Sequence, residues 1–310
     1  MRVLLSSDKS AATEKTVVLA AGFFDGVHIG HQAVIDGAVR EARASGAEAW
    51  ALTFDRHPRE IFDPAHAPRL ITPTQKRLDL ISGRGIDGAY LVHFDSAVAA
   101  QRPGDFIREL LGVFPRLRSI RSGANWRFGT GASGSPSFLA ALGAELGFTA
   151  GIEPDAMYRD EPISSTRIRK AISTGDLASA TAMLGRPYAI SGEVLSGRQV
   201  GSANGVATAN FQPPPEWLLP PLGVYAVTSR INGGTVKGVA DLGWRPTFAD
   251  ARPDTPVLEV HYLDFNGDLY GKTLEVSFVA RLRDERTFSS PAALFEQIRR
   301  DITSARNVLQ

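Results

Sequence analysis

Through the first 186 residues, short apolar runs alternate with stretches whose apolar positions recur at helical spacing. Val17 to Ala21, Ala49 to Phe54, Ala89 to Phe94, Leu117 to Arg121 and Phe148 to Ile152 have strand length, and the amphipathic segments between them read as helices. That rhythm predicts a parallel α/β sheet. After Tyr188 the pattern turns strand-rich: Ala189 to Leu195, Gly223 to Ile231, Val236 to Ala240, Val257 to Leu263 and Leu274 to Ala280, then a helix from Pro291 to about Val308. A small β-barrel with a terminal helix fits this half. The expected domains are therefore residues 1–186 and 187–310, an α/β unit followed by a β unit. The Pro-rich piece from Gln212 to Pro221 reads as a loop, and the chain shows no internal repeat.

The junction after the first of these strands concentrates candidate chemistry. GFFDGVHIGH, Gly22 to His31, packs three glycines, an Asp and two histidines into one turn. Val34, Ile35, Ala38, Val39 and Ala42 follow at helical spacing, with Asp36, Arg40, Glu41 and Arg43 off that stripe. His28 and His31 are thus expected at a helix N-terminus, where free N–H groups and the positive end of the helix dipole favour a polyphosphate such as ATP. Two isolated histidines three apart read more readily as solvated or core residues than as ligands; strand, glycine turn and helix together reverse that preference in favour of the phosphate.

Two later segments extend that reading. GANWRFGTGASG, Gly123 to Gly134, follows a strand and offers Asn125, Trp126, Arg127 and Phe128 to a base or ring, or simply packs a Trp in a loop. ISSTRIRKAI, Ile163 to Ile172, sets Ser164, Ser165 and Thr166 where a helix starts, with Arg167 and Arg169 close behind. Capping alone accounts for the hydroxyls. Basic residues early in a helix oppose its dipole, and a bound anion relieves that conflict.

Composition narrows the partners. Lys plus Arg (34) nearly cancels Asp plus Glu (33), so bulk charge argues for neither a nucleic-acid nor a membrane partner, and phosphate binding must be local. Absence of cysteine excludes disulfides, thiolate metal sites and cysteine nucleophiles, and points to the cytoplasm. The opening run Met1 to Leu5 is too short for a signal peptide, and no stretch is long enough to span a bilayer.

GFFDGVHIGH carries the HxGH signature of nucleotidylyltransferases. Together with TFDRHPREIF (Thr53 to Phe62), GANWRFG and SSTRIR, in this order and spacing, it resembles the FMN adenylyltransferase half of the prokaryotic bifunctional riboflavin kinase/FAD synthetase family. The second half is similar to the family's flavokinase pattern in TAN (Thr208 to Asn210), LGVYAV (Leu222 to Val227), GVADLGWRPTF (Gly238 to Phe248), LEVHYLDFNGDLYGK (Leu258 to Lys272) and RDERTFSSPAALFEQIRRD (Arg283 to Asp301). The resemblance implies a Rossmann-like nucleotidylyltransferase domain and a barrel-shaped flavokinase domain, with riboflavin phosphorylated by ATP to FMN and FMN adenylylated to FAD with release of pyrophosphate. By correspondence, His28 and His31 hold the triphosphate, Asn125 helps position it, Ser164, Thr166 and Arg169 close the phosphate site, and Gly22, Phe24, Asp25 and Gly26 shape the nucleotide pocket. In the kinase half, Glu259 is the implied base for the riboflavin hydroxyl, and Thr208 and Asn210 bring Mg²⁺, or another divalent cation, to the ATP phosphates. ATP, riboflavin and FMN are the implied partners, and a homo-oligomer is left open.

The chain departs from the family's Gly-Phe-Pro-Thr-Ala-Asn segment: GRQVGSANGVATAN has Ala207 where the family has proline and about four extra residues around Ser202 to Gly205. Losing a φ-fixing proline is worth about 0.4–1 kcal/mol of preorganisation, and the insertion bears on the placement of Thr208 and Asn210. A monofunctional FMN adenylyltransferase with an impaired kinase domain, or a flavin-binding or sensing protein, therefore stand as alternatives. Trp126 and Thr130, where the family commonly has Phe and Lys, leave the adenylyltransferase reading intact.

Overall fold

The computed structural model describes residues 1–8, 12–195, 208–244 and 256–310. The chain divides into two compact units, Met1–Ser165 and Thr166–Gln310.

In the first unit the elements run β1 (Arg2–Leu5), β2 (Val17–Ala21), α1 (Ile29–Ser45), β3 (Glu48–Phe54), α2 (Arg59–Phe62), α3 (Thr74–Ser82), β4 (Gly88–Val92), α4 (Ser96–Ala100), α5 (Pro103–Val113), β5 (Leu117–Gly123), α6 (Pro136–Leu146), β6 (Thr149–Glu153) and a small hairpin, β7 (Met157–Tyr158) with β8 (Glu161–Pro162). Six of these strands form one parallel sheet in the order β1-β4-β3-β2-β5-β6. β2 is central and fully buried because both of its faces are covered. Val17, Leu19 and Ala21 pack with Phe106, Ile107 and Leu110 of α5, while Val18 and Ala20 pack with Val34, Ile35 and Ala38 of α1. The opening apolar run is thus β1, an edge strand paired in parallel with β4.

The second unit follows with α7 (Ser165–Ser173), whose first residue closes the first unit, then α8 (Leu177–Leu184), β9 (Tyr188–Leu195), β10 (Thr208–Phe211), β11 (Gly223–Ile231), β12 (Gly234–Gly243), β13 (Val257–Tyr262), β14 (Thr273–Arg283) and α9 (Pro291–Val308). Its six strands close into an antiparallel barrel, β10-β13-β12-β11-β14-β9, sealed by β10 against β9. Asn232 and Gly233, at φ 52° and 83°, give β11 and β12 the left-handed pair that a two-residue hairpin requires. α9 lies on the barrel through Ala305 and Leu309 against Ala226, Val239, Ala280 and Leu282. Arg283 of β14 grips the buried Asp301 of α9 with a forked pair, its Nε 3.0 and 3.1 Å from the two carboxylate oxygens and Nη2 2.8 Å from one of them.

Both halves have the predicted class, and the C-terminal helix has the predicted bounds. Thr208 to Asn210 lie on β10, a strand that the sequence pattern does not predict. The altered stretch before them, including Ser202 to Gly205 and Ala207, lies outside the described residues.

Candidate functional site

Strand order decides where a ligand can enter the first sheet. From β2 the chain passes through α1 to β3 on one side, and later returns through β5 on the other. The crevice beyond the carboxyl ends of β2 and β5 is therefore the topological switch point, the usual binding place of an open parallel sheet. GFFDGVHIGH leaves β2 there, and GANWRFG leaves β5 beside it.

The turn after β2 is held in an uncommon shape. Phe24, Gly26 and Val27 have φ of 59°, 85° and 40°; a left-handed non-glycine residue costs about 1–3 kcal/mol and persists only where its surroundings over-determine it. Those surroundings are explicit. The buried Asp25 carboxylate accepts from the backbone N–H of Ile71 at 3.1 Å and Thr72 at 2.9 Å, and the Asp25 carbonyl accepts from Ser165 Oγ at 3.0 Å. Thr53 Oγ1 donates to the Phe23 carbonyl at 2.9 Å. A Cβ on Gly22 would fall 2.8 Å from the Phe24 ring, so glycine is needed for that ring to fold back.

His28 caps α1: its Nδ1 accepts from the His31 N–H at 3.2 Å. A neutral imidazole that accepts at Nδ1 carries its hydrogen on Nε2, so the cap sets the tautomer as well as the helix start. His31 stacks on His28 with ring centroids 3.5 Å apart and planes 19° apart, and Phe24 meets His31 edge-on at 5.4 Å. Two imidazolium charges that close would repel each other, and a bound anion would offset this. The arrangement presents stacked imidazoles and a helix N-terminus to an anion.

After β5, Asn125 is exposed and donates through Nδ2 to Asp155 at 2.9 Å. Trp126 stacks on Phe128 with centroids 4.4 Å apart. Beside them opens a cavity of about 410 Å³ whose walls include Phe23, Phe54, Phe62, Phe94, Trp126 and Phe128. Such a slot suits a flat aromatic ring system. The sequence pointed to Trp126 and Phe128; the other rings come from the ends of β2, β3 and β4 and from α2, and only the strand order gathers them.

Ser164 lies in the first unit, half-buried just before α7. Thr166 and Arg169 belong to α7, which buries Ile168, Ala171 and Ile172 and leaves Thr166 exposed, and both fall within the second compact unit. Ser165 donates its hydroxyl to the Asp25 carbonyl, a role that the sequence, where it is one of three capping hydroxyls, does not signal.

On the barrel, register brings the second set together. β10 pairs with β13 so that Asn210 lies directly opposite Glu259 and Thr208 opposite His261, while Glu259 is in turn opposite Asp241 of β12. Directly opposed residues have Cβ atoms about 4.5–5.5 Å apart and share a face. The alternate positions, Ala209, Phe211, Leu258 and Val260, are buried on the other face. Asn210 is itself buried, and Glu259 is half-buried. Among the described residues no three His, Asp or Glu side chains are grouped as a metal cage, and no helix is long and apolar enough to cross a membrane.

Residues 10–167 match the FAD synthetase family and residues 184–309 match the riboflavin kinase family. The bifunctional riboflavin kinase/FMN adenylyltransferase of Bacillus subtilis is 34% identical over 92% of this chain and 90% of its own length. The protein of the same name from Escherichia coli K12 is 36% identical over 96% and 94%. Among solved structures, a Streptococcus pneumoniae protein described as a macrolide-efflux protein superposes with a TM-score of 0.87 over 99% of both chains at 27% identity. Its described role differs from that of the relatives, and the two family matches, which partition this chain, bear on activity more directly than an overall likeness.

Proposed function

The chain belongs to the bifunctional riboflavin kinase/FMN adenylyltransferase family, and from that premise we propose which of its residues carry each of the two activities. It phosphorylates riboflavin with ATP to give FMN, and transfers the adenylyl group of a second ATP to FMN, giving FAD and pyrophosphate.

For adenylyl transfer, the isoalloxazine ring occupies the aromatic cavity between Phe54, Phe62 and Trp126. The FMN phosphate attacks the α-phosphorus of ATP, and charge grows on the departing pyrophosphate. No protein nucleophile is needed, so positioning and charge stabilisation dominate. His28 Nε2–H and His31 face that charge from the start of α1, with Gly22, Phe24, Asp25 and Gly26 fixing the turn and Asn125 placing the nucleotide. Roles at the phosphates for Ser164, Thr166 and Arg169 are proposed on the family correspondence of SSTRIR alone, as is a domain boundary after residue 186.

For the kinase step, Glu259 takes the proton of the riboflavin hydroxyl, beside Asn210 and Thr208. Amide, hydroxyl and carboxylate oxygens suit Mg²⁺, which is commonly held by one or two protein groups and substrate phosphates and needs no three-carboxylate cage. The ion, when bound, neutralises phosphate charge, while Asn210 and Thr208 orient the phosphates. ATP, riboflavin and FMN are the partners, and the cytoplasm is the proposed location.

The observation that carries a working kinase, against an impaired one, is the register that keeps Asn210 opposite Glu259 despite the altered segment before them. The test is a pair of variants in the full chain. His28→Ala is expected to slow FAD formation about 10²–10³-fold and spare riboflavin phosphorylation, and Glu259→Ala to abolish phosphorylation and spare FAD formation from FMN; parallel loss of both activities in either folded variant would contradict two separate sites.

A further inference from the structure

Behind the aromatic cavity sits a cation that core packing alone does not explain. Arg77, on α3, is fully buried. Its Nη2 donates to the Phe54 carbonyl and, at 3.3 Å, to Thr74 Oγ1, whereas Nε and Nη1 meet no acceptor among the described residues. Its guanidinium lies over the Phe23 ring, 4.5 Å from the centroid. Burial pushes the group down to about 10, opposed by the fields of the Asp25 and Asp55 carboxylates. A buried, half-satisfied guanidinium is expensive, and an apolar side chain of similar size packs such a position at least as well. The contacts it does make fall on the flavin side of the adenylyltransferase site: the Phe23 ring and the Phe54 carbonyl both belong to residues that line the cavity.

We propose that Arg77 is a positioning residue for adenylyl transfer, fixing the Phe23 ring and the end of β3 against the flavin. This rests on the assignment of the cavity to FMN. The planar face that stacks on Phe23 is particular to arginine; lysine supplies the charge without it. Through Phe23 the residue acts on flavin binding.

The experiment compares Arg77→Met, Arg77→Lys, Phe23→Leu and the Arg77→Lys/Phe23→Leu double variant in the full chain, measuring kcat and KM for FMN and ATP, riboflavin phosphorylation and thermal unfolding. Arg77→Met is expected to raise KM for FMN about tenfold or more, the scale of a desolvated cation–π contact, with riboflavin phosphorylation unchanged. Arg77→Lys should fall between it and the parent protein, and the double variant should be no worse than Phe23→Leu alone, because the two act as one unit. If Arg77→Met does not fold, Arg77→Lys and the cycle with Phe23→Leu decide. Unchanged KM for FMN in a folded Arg77 variant, fully additive losses, or failure of both Arg77 variants to fold would each overturn the proposal. Absence of FAD formation by the parent protein itself would instead refute the assignment of the cavity.

Discussion

Replacing His28 separates two tasks performed by one imidazole. Its Nδ1 caps α1, and deleting a side-chain cap costs about 0.5–2 kcal/mol of stability. Its Nε2–H is the proposed donor to pyrophosphate, and loss of one such preorganised donor costs roughly 2.7–4 kcal/mol in the transition state, on the order of 10²–10³ in kcat. Alanine removes both contributions. Asparagine, among the best N-caps, restores the first without supplying an imidazole. His28→Ala should therefore lose about 1 kcal/mol of stability, His28→Asn should regain most of it, and both should form FAD from FMN about 10²–10³-fold more slowly with riboflavin phosphorylation intact. Thermal unfolding by circular dichroism and chromatographic assay of FAD at saturating ATP read the two effects independently. FAD formation restored to the parent rate in His28→Asn would reduce the histidine to a cap and refute its role at the phosphates.

Trp126→Ala removes one wall of the aromatic cavity, a loss of about 1.5–3 kcal/mol of apolar contact, and should raise KM for FMN on the order of 10–100-fold without changing KM for riboflavin; an unchanged KM for FMN would place the flavin elsewhere. Asp301→Ala strands the Arg283 guanidinium between barrel and α9, and should cost about 3–5 kcal/mol in denaturant unfolding of the second unit, with a smaller loss contradicting that pair's place in the fold. Burial opposes ionisation of Asp87, but hydrogen bonds from Arg43 and the Ala49 N–H outweigh it and hold the carboxyl below its ordinary range. Its stabilisation is thus complete above the unfolded carboxylate value and is lost as pH falls through the lower folded one, so unfolding free energy should drop below about pH 4. Asp87→Asn should flatten that slope in acid titrations followed by circular dichroism.

Chemistry carried by one continuous segment was legible in the sequence, and chemistry assembled by topology was not. Glycines, apolar strand and helical stripe around His28 and His31 lie within one stretch, so strand, turn and capped helix follow from local spacing. The cavity, by contrast, draws Phe54, Phe62, Phe94 and Trp126 from segments joined only by the order β4-β3-β2-β5. β10 escaped because four residues with Ala209 and Asn210 show little strand alternation, and it becomes a strand by closing the barrel between β9 and β13. Arg77 sits between Lys76 and Leu78 on an amphipathic helix, where a charged residue reads as solvent-facing; its burial is visible only once Phe23 and Phe54 cover it. For Asn210 and Glu259 the family resemblance joined two distant motifs, and the barrel register supplies the physical reason.

The most direct test of a two-step enzyme is a chromatographic time course of flavins with the full chain, ATP and Mg²⁺, fed riboflavin in one vessel and FMN in the other. FAD should accumulate from both feeds, with FMN passing through as an intermediate in the first. FAD from FMN alone would contradict the kinase assignment of Asn210 and Glu259, and FMN as the end product from riboflavin would contradict the role of His28 and His31 in adenylyl transfer.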